Sequence, residues 1–236
     1  MGLSLPRRVE PELLDALAAG DPRAQRSRID LRRVHRAMAT LSIVLRALDR
    51  ASAGFVPREL LELGAGDGSL MLRIAQQRAS RWPNVQVTFL DRLNLVTLDT
   101  LDGLRKVGWT ARVVAMDVFD WLASPDDARW DVVFASLFAH HFSAAELTRL
   151  LAGVAARTRV FVCCEPRRST LPLVGSHLIG LLGAGYVTRR DAVSSVHAGF
   201  QAQELSAMWP DREDWLLDEY RAGLFSHCFV AVRNGR

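Results

Sequence analysis

The sequence predicts an α/β fold built on a doubly wound, mostly parallel sheet of seven strands, with a reversed strand at the end and a helical cap. Between residues 58 and 165, short β-branched segments alternate with helix-like stretches, a pattern typical of parallel strands joined by helical crossovers. The last two strand-like segments, 214–223 and 225–233, are too close for a crossover, so we expect an antiparallel hairpin. A glycine-rich turn follows the first strand.

Residues 1–54 are predicted to form an N-terminal helical cap. A short helix is expected over 11–19, ending near Gly20. A longer helix is expected over 30–50, with Asp30 as its N-cap, because apolar residues recur along one helical stripe. The stripe consists of residues 31, 34, 38, 41, 45 and 48.

Residues 55–236 are predicted to form the main domain. The expected parallel strands are 58–63, 85–91, 111–117, 130–136 and 159–165, and the helices between them are 68–80, 95–106 and 143–156. A helical insertion at about 166–205 separates the fifth strand from the hairpin. We expect this insertion and the N-terminal helices to form a lid over an apolar pocket at the carboxyl edge of the sheet.

The composition argues against several classes of partner. The net charge is +4, but Lys106 is the only lysine among the 30 basic residues, and the basic stretch 23–36 lacks interleaved aromatic residues, so we interpret it as a solvated helix face. The most apolar window, 171–187, is too short and too polar for a membrane span. No nucleic-acid partner and a cytoplasmic location are expected, and a homodimer is left open.

The glycine-rich turn at 64–68 indicates a ligand site. Glycines at 64, 66 and 68 let the backbone bend and approach a ligand closely, and ligands of open α/β sheets bind beyond the carboxyl ends of the strands. A dinucleotide site needs the spacing G-x-G-x-x-G, whereas here the third glycine comes one position early and Asp67 lies inside the turn. Because a carboxylate would repel a diphosphate, the turn is better suited to a zwitterionic or cationic ligand.

The segment LLELGAGDGSL (60–70) resembles the first motif of class I S-adenosylmethionine-dependent methyltransferases. The resemblance implies their Rossmann-like fold, S-adenosylmethionine as cofactor and S-adenosylhomocysteine as product. It further implies that Asp91 holds the ribose hydroxyls and that Asp117 and Val118 contact the adenine. The cofactor-binding residues expected from it are Glu62, Gly64, Ala65, Gly66, Gly68, Asp91, Arg92, Asp117, Val118 and Ser136.

The residues His140-His141-Phe142 look like the "LHHF" of ubiquinone- and menaquinone-biosynthesis methyltransferases. The segment after the fifth strand is similar to bacterial small-molecule methyltransferases of polyketide and quinone pathways. The resemblance implies methyl transfer to a small aromatic or enolic acceptor, such as a phenol, quinol or polyketide, with oxygen favoured over carbon. The alternatives are an RNA or protein methyltransferase, which would need an open basic cleft, and a non-catalytic cofactor-binding protein.

The chemistry of a phenol or enol acceptor calls for a proton acceptor. His141 is the candidate catalytic residue, and bracing of its loop is the alternative role. His140, Glu165 and His177 are candidate substrate-facing residues, with an ion pair to Arg167 or Arg168 as the alternative role for Glu165. No metal site is expected, because the side chains of adjacent histidines should diverge and no carboxylates stand at ligand spacing nearby.

Overall fold

The fold is a seven-stranded sheet in the order β3-β2-β1-β4-β5-β7-β6, seen in a computed structural model that describes residues 5–125 and 128–234. The strands are β1 (Glu59–Leu63), β2 (Gln86–Asp91), β3 (Thr110–Ala115), β4 (Trp130–Ser136), β5 (Thr158–Pro166), β6 (Trp215–Ala222) and β7 (Ser226–Arg233). The first five are parallel, and β7 pairs antiparallel with both β5 and β6. The predicted fold class is confirmed, and β7 is the reversed strand.

The strand order reverses at β1. β2 and β3 lie on one side of this strand, and β4 and β5 lie on the other. In open α/β sheets the ligand crevice forms outside the carboxyl ends of the strands at such a switch point. The glycine turn at 64–68 directly follows β1 and therefore stands at this crevice.

Helices cover both faces of the sheet. The α-helices within the described residues are α1 (Leu13–Ala16), α2 (Pro22–Ala37), α3 (Thr40–Ala51), α4 (Ser69–Arg78), α5 (Leu98–Lys106), α6 (Val118–Ala123), α7 (Ala144–Arg157), α8 (Thr170–Leu178), α9 (Tyr186–Ala198) and α10 (Glu204–Met208). Side chains of α3, α4 and α5 pack on one face and those of α6, α7 and α10 on the other. Neighbouring strand residues point to opposite faces, so Val132 joins the first core and Val133 the second.

The predicted helix over 30–50 is two helices. α2 begins earlier, at Pro22, and its N-cap is Asp21, whose side chain accepts a hydrogen bond from Arg23 N at 2.7 Å. Ala39, in the left-handed region at φ 54°, separates α2 from α3. Asp30, the expected N-cap, instead lies buried inside α2, and that prediction was wrong.

Asp30 is stable inside the helix because other groups satisfy its carboxylate. It pairs with Arg26 at 3.2 Å and with Arg33 at 3.1 Å, and it accepts a hydrogen bond from Gly185 N at 2.8 Å. A buried carboxylate without such partners would be costly. Asp30 therefore ties α2 to the insertion instead of starting a helix.

The N-terminal helices divide between two roles. α3 packs against β5 and β7, with Ile43, Val44 and Leu48 buried in the sheet core. α1 and α2 instead pack against α9 in the insertion. The cap is thus formed by α1 and α2 together with α8 and α9, and α3 belongs to the sheet layer although the sequence grouped it with residues 1–54.

The helices of the insertion are short. Within residues 5–125 and 128–234, no helix combines the length and the apolar character needed to cross a membrane.

Candidate active site

A cavity of about 540 Å³ lies at the switch point of the sheet. Its wall is built from the glycine turn, the ends of β2 and β4, the helices α1 and α2, and Ser195 of α9. The residues on the wall that the sequence predicted are Glu62, Gly64, Ala65, Gly66, Asp91, Arg92, Ser136, His140 and His141. Gly68, Asp117, Val118, Glu165 and His177 lie outside this wall.

The three glycines of the turn adopt left-handed φ values of 66°, 54° and 70°, but they serve different purposes. A Cβ on Gly64 would lie 2.4 Å from Cδ2 of Phe138, so the bare backbone lets the loop after β4 pack on the turn. A Cβ on Gly68 would lie 3.0 Å from Cγ2 of Thr100, which makes Gly68 a packing position. A Cβ on Gly66 would meet nothing within 4 Å, so Gly66 faces open space at the cavity.

Asp91, at the end of β2, supports the glycine turn from the cavity wall. Its Oδ2 accepts a hydrogen bond from Gly66 N at 2.9 Å, and its Oδ1 accepts one from Leu93 N at 3.0 Å. An ionised carboxylate offers about four lone-pair sites. The half-buried side chain therefore retains capacity for two further donors.

Asp117 and Val118 lie beside the cavity. Met116 N donates to the Asp91 carbonyl at 2.9 Å, which sets the end of β3 next to that of β2. The Oδ1 of Asp117 accepts a hydrogen bond from Phe119 N at 2.8 Å and caps α6, a short helix that the sequence did not predict. Val118 is buried, so its side chain packs in the core.

Three buried polar atoms of the wall have no hydrogen-bond partner within the described residues: His35 Nε2, Glu62 Oε2 and Ser136 Oγ. Burial, and then the charges of Asp67 and Asp91, raise the pKa of Glu62 well above 4.5, which favours its neutral form. Burial lowers the pKa of His35 to about 4, so this imidazole is neutral at pH 7. Each unpaired buried polar group costs about 1–3 kcal/mol, so these atoms indicate a polar ligand.

Glu165 organises the loop after β4. Its Oε1 accepts hydrogen bonds from Phe138 N and Ala139 N, both at 3.0 Å, and its Oε2 lies 2.7 Å from His140 Nδ1. Burial alone would raise the pKa of Glu165, but His140 and the backbone N–H groups outweigh burial and lower it. Glu165 is therefore a buried, ionised carboxylate under the loop.

The alternative role considered for Glu165, an ion pair with Arg167 or Arg168, was wrong. Arg168 pairs with Glu204 and donates to the carbonyls of Leu5 and Gly199. Glu165 does not line the cavity either, because the loop that it holds lies between its carboxylate and the open space.

His140 is clamped between two carboxylates. Its Nδ1 faces Glu165, and its Nε2 lies 3.4 Å from Oε1 of Glu12 in the N-terminal cap. Burial opposes a charge on His140, but the hydrogen bonds and charges of Glu12 and Glu165 raise its pKa to about 9. At neutral pH His140 is an imidazolium, and it performs the bracing role that the sequence left open for His141.

His141 is on the cavity wall, and its Nδ1 lies 3.5 Å from Oδ2 of Asp15. Burial, and then the charge of His140, lower the pKa of His141 below 6.5, although Glu12 and Asp15 oppose this shift. His141 is therefore a neutral imidazole at pH 7, able to accept a proton.

The premise used to exclude a metal site was wrong. The rings of His140 and His141 do not diverge: the 3₁₀ turn Ala139–His141 places their centroids 4.2 Å apart, with a tilt of 33°. Ligand atoms of Glu12, His140 and His141 lie within 4.8 Å of one another, a grouping that could hold a metal ion. In this structure Glu12 also accepts a hydrogen bond from Ser195, and the imidazolium of His140 is the shared ion-pair partner of Glu12 and Glu165.

The sequence did not identify the residues that the cap contributes to the site, which include Glu12, Asp15, His35 and Ser195. No motif marks them. The only signal was the expectation that the cap covers the carboxyl edge. Arg7 fastens this cap by donating to the carbonyls of Phe142 at 2.9 Å and Ala198 at 2.8 Å.

His177 is not brought to the site. It lies on α8, where its side chain is exposed, because the helix turns Pro172 and Ser176 inward. His227 is buried in the hairpin, with Nε2 2.8 Å from Oε1 of Glu219.

Comparisons with known proteins connect this geometry to one fold. No family model matches the chain, and no match is found among the curated proteins. Among solved structures, the plantazolicin methyltransferase BpumL in complex with SAH matches with a TM-score of 0.64 and 13% identity, covering 91% of this chain and 92% of that one. Magnesium protoporphyrin IX methyltransferase (ChlM) from Synechocystis PCC 6803 with bound SAH gives 0.54 and 16%, covering 94% and 91%.

An O-methyltransferase family protein from Burkholderia thailandensis matches with a TM-score of 0.58 and 16% identity, covering 92% of this chain and 61% of that one. At such identities the likeness concerns the fold. The chain has the fold of class I methyltransferases.

Proposed function

We propose that this protein is an S-adenosylmethionine-dependent methyltransferase that acts on a small aromatic or enolic acceptor and releases S-adenosylhomocysteine. The observation that carries the proposal is the cavity at the switch point, where the bare Gly66 backbone, the Asp91 carboxylate and three unpaired buried polar atoms meet. The fold is shared with methyltransferases crystallised with SAH.

The wall residues fit this cofactor. When bound, S-adenosylmethionine supplies a methyl group activated by its sulfonium. Asp91 would accept hydrogen bonds from both ribose hydroxyls, and Asp117 and Val118 would contact the adenine beside it. Glu62, Ser136 and His35 would bind its remaining polar groups, since their buried atoms have no protein partner.

A dinucleotide fits the same turn poorly. A diphosphate would need the N-terminus of α4, but Oδ1 of Asp67 already accepts a hydrogen bond from Ser69 N there at 3.0 Å. Burial would raise the pKa of Asp67, yet Ser69 and Arg32 outweigh burial and lower it, so the carboxylate stays ionised. This negative charge opposes a diphosphate.

The acceptor side of the wall favours a small apolar molecule. Leu14, Leu17 and Leu31 of the cap line the cavity. Two arginines of the wall, Arg32 and Arg92, pair with Asp67 at 2.8 Å and Asp15 at 3.2 Å, so they do not form the open basic cleft that an RNA would need. These features support a phenol, quinol or polyketide-type acceptor. Oxygen is the proposed methylated atom, because the neutral His141 can accept the proton of a hydroxyl group.

Turnover separates this proposal from a non-catalytic cofactor-binding role. The test is incubation with methyl-labelled S-adenosylmethionine and a panel of phenols, quinols and enolic polyketides. We expect label in at least one of these acceptors. Labelling of only RNA or protein would contradict the proposed acceptor class.

His141→Gln is expected to lower the methylation rate of a phenol by roughly 10²–10⁴-fold, because general-base catalysis contributes that much. In the wild type the pKa of His141 lies below 6.5, so the rate should hold down to that range and fall as the pH drops through this pKa. The variant should lose this acid limb. Single-turnover rates between pH 5 and 8 measure both effects.

The exposed His177 provides the matched control, since His177→Gln should leave the rate and its pH profile unchanged. An unaltered acid limb in His141→Gln would contradict the role of His141. Because both ring nitrogens of His140 already face carboxylates, the rate should also survive EDTA. A loss that Zn²⁺ restores would assign the Glu12, His140 and His141 group to a metal ion instead.

Gly66→Ala is expected to weaken SAH binding at least about tenfold, which corresponds to about 1.4 kcal/mol, because the added methyl group enters the ligand space. Gly108 is the matched control: it also has a positive φ, 81°, and its Cβ would also meet nothing within 4 Å. Both substitutions should cost roughly 1–2 kcal/mol of stability from the left-handed backbone. Titration calorimetry distinguishes them, and equal SAH affinity in the two variants would show that Gly66 does not face the cofactor.

A further inference from the structure

The insertion carries several exposed apolar side chains close together in sequence, which we call the α8 patch. Its members are Leu171, Val174, Leu178, Leu181, Leu182 and Tyr186, which are between 50% and 85% exposed. They are six of the fourteen large hydrophobic residues that are exposed within the described part of the chain, and they fall within sixteen positions. Exposed apolar residues concentrated in this way mark interaction surfaces.

The α8 patch is formed by successive elements that turn one side outward. Leu171, Val174 and Leu178 are spaced by three and four residues and share one face of α8, whereas Pro172 and Ser176 are buried. Leu181 lies in the 3₁₀ turn Ile179–Leu182 that directly follows, and Tyr186 begins α9. These elements therefore bury one side against the cap and expose apolar side chains on the other.

The surroundings of the α8 patch are positively charged. Residues 169–190 contain no acidic residue, and Arg189 and Arg190 at the end of this stretch are exposed. α2 packs against the 3₁₀ turn and α9, and Arg26 of α2 donates to the carbonyl of Gly183 at 3.1 Å. The exposed arginines of α2 are Arg23, Arg26, Arg32, Arg33 and Arg36, of which the first four also pair with Asp21, Asp30 or Asp67, so Arg189 and Arg190 are the main basic residues of the patch.

We infer that the α8 patch docks on the surface of an anionic phospholipid bilayer. Its apolar side chains would enter the boundary between headgroups and acyl chains, and the surrounding arginines would bind lipid phosphates. Interfacial helices combine an apolar face with a lysine- or arginine-rich polar face in the same way. The docking is peripheral and is independent of the proposed reaction.

A second copy of the chain fits the α8 patch less well. In a two-fold symmetric dimer the same patch would meet itself, and the arginines around it would face the same arginines of the partner subunit. Like charges brought together at an interface disfavour association. An anionic bilayer complements both the apolar residues and the positive charge.

The test is co-sedimentation of the full chain with phosphatidylcholine vesicles that contain or lack phosphatidylglycerol. We expect binding that requires phosphatidylglycerol and weakens with added salt. The double substitution Leu178→Glu and Leu181→Glu should reduce binding at least about tenfold, and Arg189→Gln with Arg190→Gln should do the same, since each basic residue near the surface contributes measurably. Circular dichroism checks that each variant is folded.

The matched control is the pair Leu98→Glu and Leu216→Glu, because these leucines are 77% and 67% exposed but lie on α5 and β6. The control should bind vesicles as the wild type does. No binding to phosphatidylglycerol vesicles, or an equal loss in the control, would overturn the inference. A dimer in light scattering that Leu181→Glu alone dissociates, without lipid binding by the wild type, would instead assign the α8 patch to self-association.

Discussion

Asp91→Ala is expected to weaken SAH binding by at least about 100-fold, because it removes the ionised acceptor for two ribose hydroxyls, and hydrogen bonds to charged groups contribute about 1.5–3 kcal/mol each. The substitution also removes the acceptors of Gly66 N and Leu93 N, so the glycine turn loses its support. Titration calorimetry with SAH measures the loss.

Two further variants separate these effects. Asp91→Asn retains one carbonyl oxygen that can accept the Gly66 N–H, so an intermediate loss is expected. Asp99, an exposed acid in the first turn of α5, provides the matched control, and Asp99→Ala should bind SAH as the wild type does. Unchanged SAH affinity in Asp91→Ala would show that the ribose does not bind at the end of β2.

Glu165→Ala is expected to lower the free energy of unfolding by about 3–5 kcal/mol, the cost of removing one partner from a buried ion pair. It would leave the N–H groups of Phe138 and Ala139 without their acceptor and the charge of His140 with only Glu12. Because Phe138 packs on Gly64, we also expect weaker SAH binding. Urea denaturation at pH 6 measures the stability.

The pH dependence of this destabilisation follows from the pKa shifts. The pKa of His140 is raised from 6.5 to about 9, so its contribution is complete below 6.5 and is lost as the pH rises through 9. The pKa of Glu165 is lowered from 4.5, so its contribution is complete above that value and is lost at lower pH. The difference between wild type and variant should therefore be largest between pH 4.5 and 6.5.

Glu219 offers a matched control for Glu165. It is also buried beside a histidine, His227, and accepts hydrogen bonds from Leu205 N and Ser206 N, but it lies in the hairpin. Glu219→Ala should destabilise the fold without changing SAH affinity. If Glu165→Ala unfolds within about 0.5 kcal/mol of the wild type, Glu165 does not organise the loop as we describe.

The sheet was predictable because short β-branched runs, such as those ending in Asp91 and Ser136, alternate with helix-like stretches, a pattern typical of parallel strands joined by helices. The glycine turn was predictable because three left-handed positions in five residues demand glycine. The break between α2 and α3 was not predictable from the sequence. The apolar stripe continues across Ala39, and only the backbone conformation changes there.

The cofactor side of the site was easier to anticipate than the acceptor side. Glu62, Gly66 and Asp91 lie within or next to strands whose order sets their positions. Glu12 and Asp15 reach the histidines from a four-residue helix more than 120 positions away, and only tertiary packing brings them there. From the sequence alone, Glu165 is likewise only the expected end of a strand. Its hydrogen bonds to the loop after β4 depend on the pairing of β4 with β5.

A crystal of the protein soaked with SAH tests the central claim most directly. We expect electron density for the adenosyl group in the cavity, with both ribose hydroxyls within hydrogen-bond distance of Asp91 and the Gly66 backbone against the ligand. Crystals soaked in parallel with NAD⁺ should show no diphosphate at the N-terminus of α4. An empty cavity after the SAH soak, or a diphosphate bound at the glycine turn, would contradict the account.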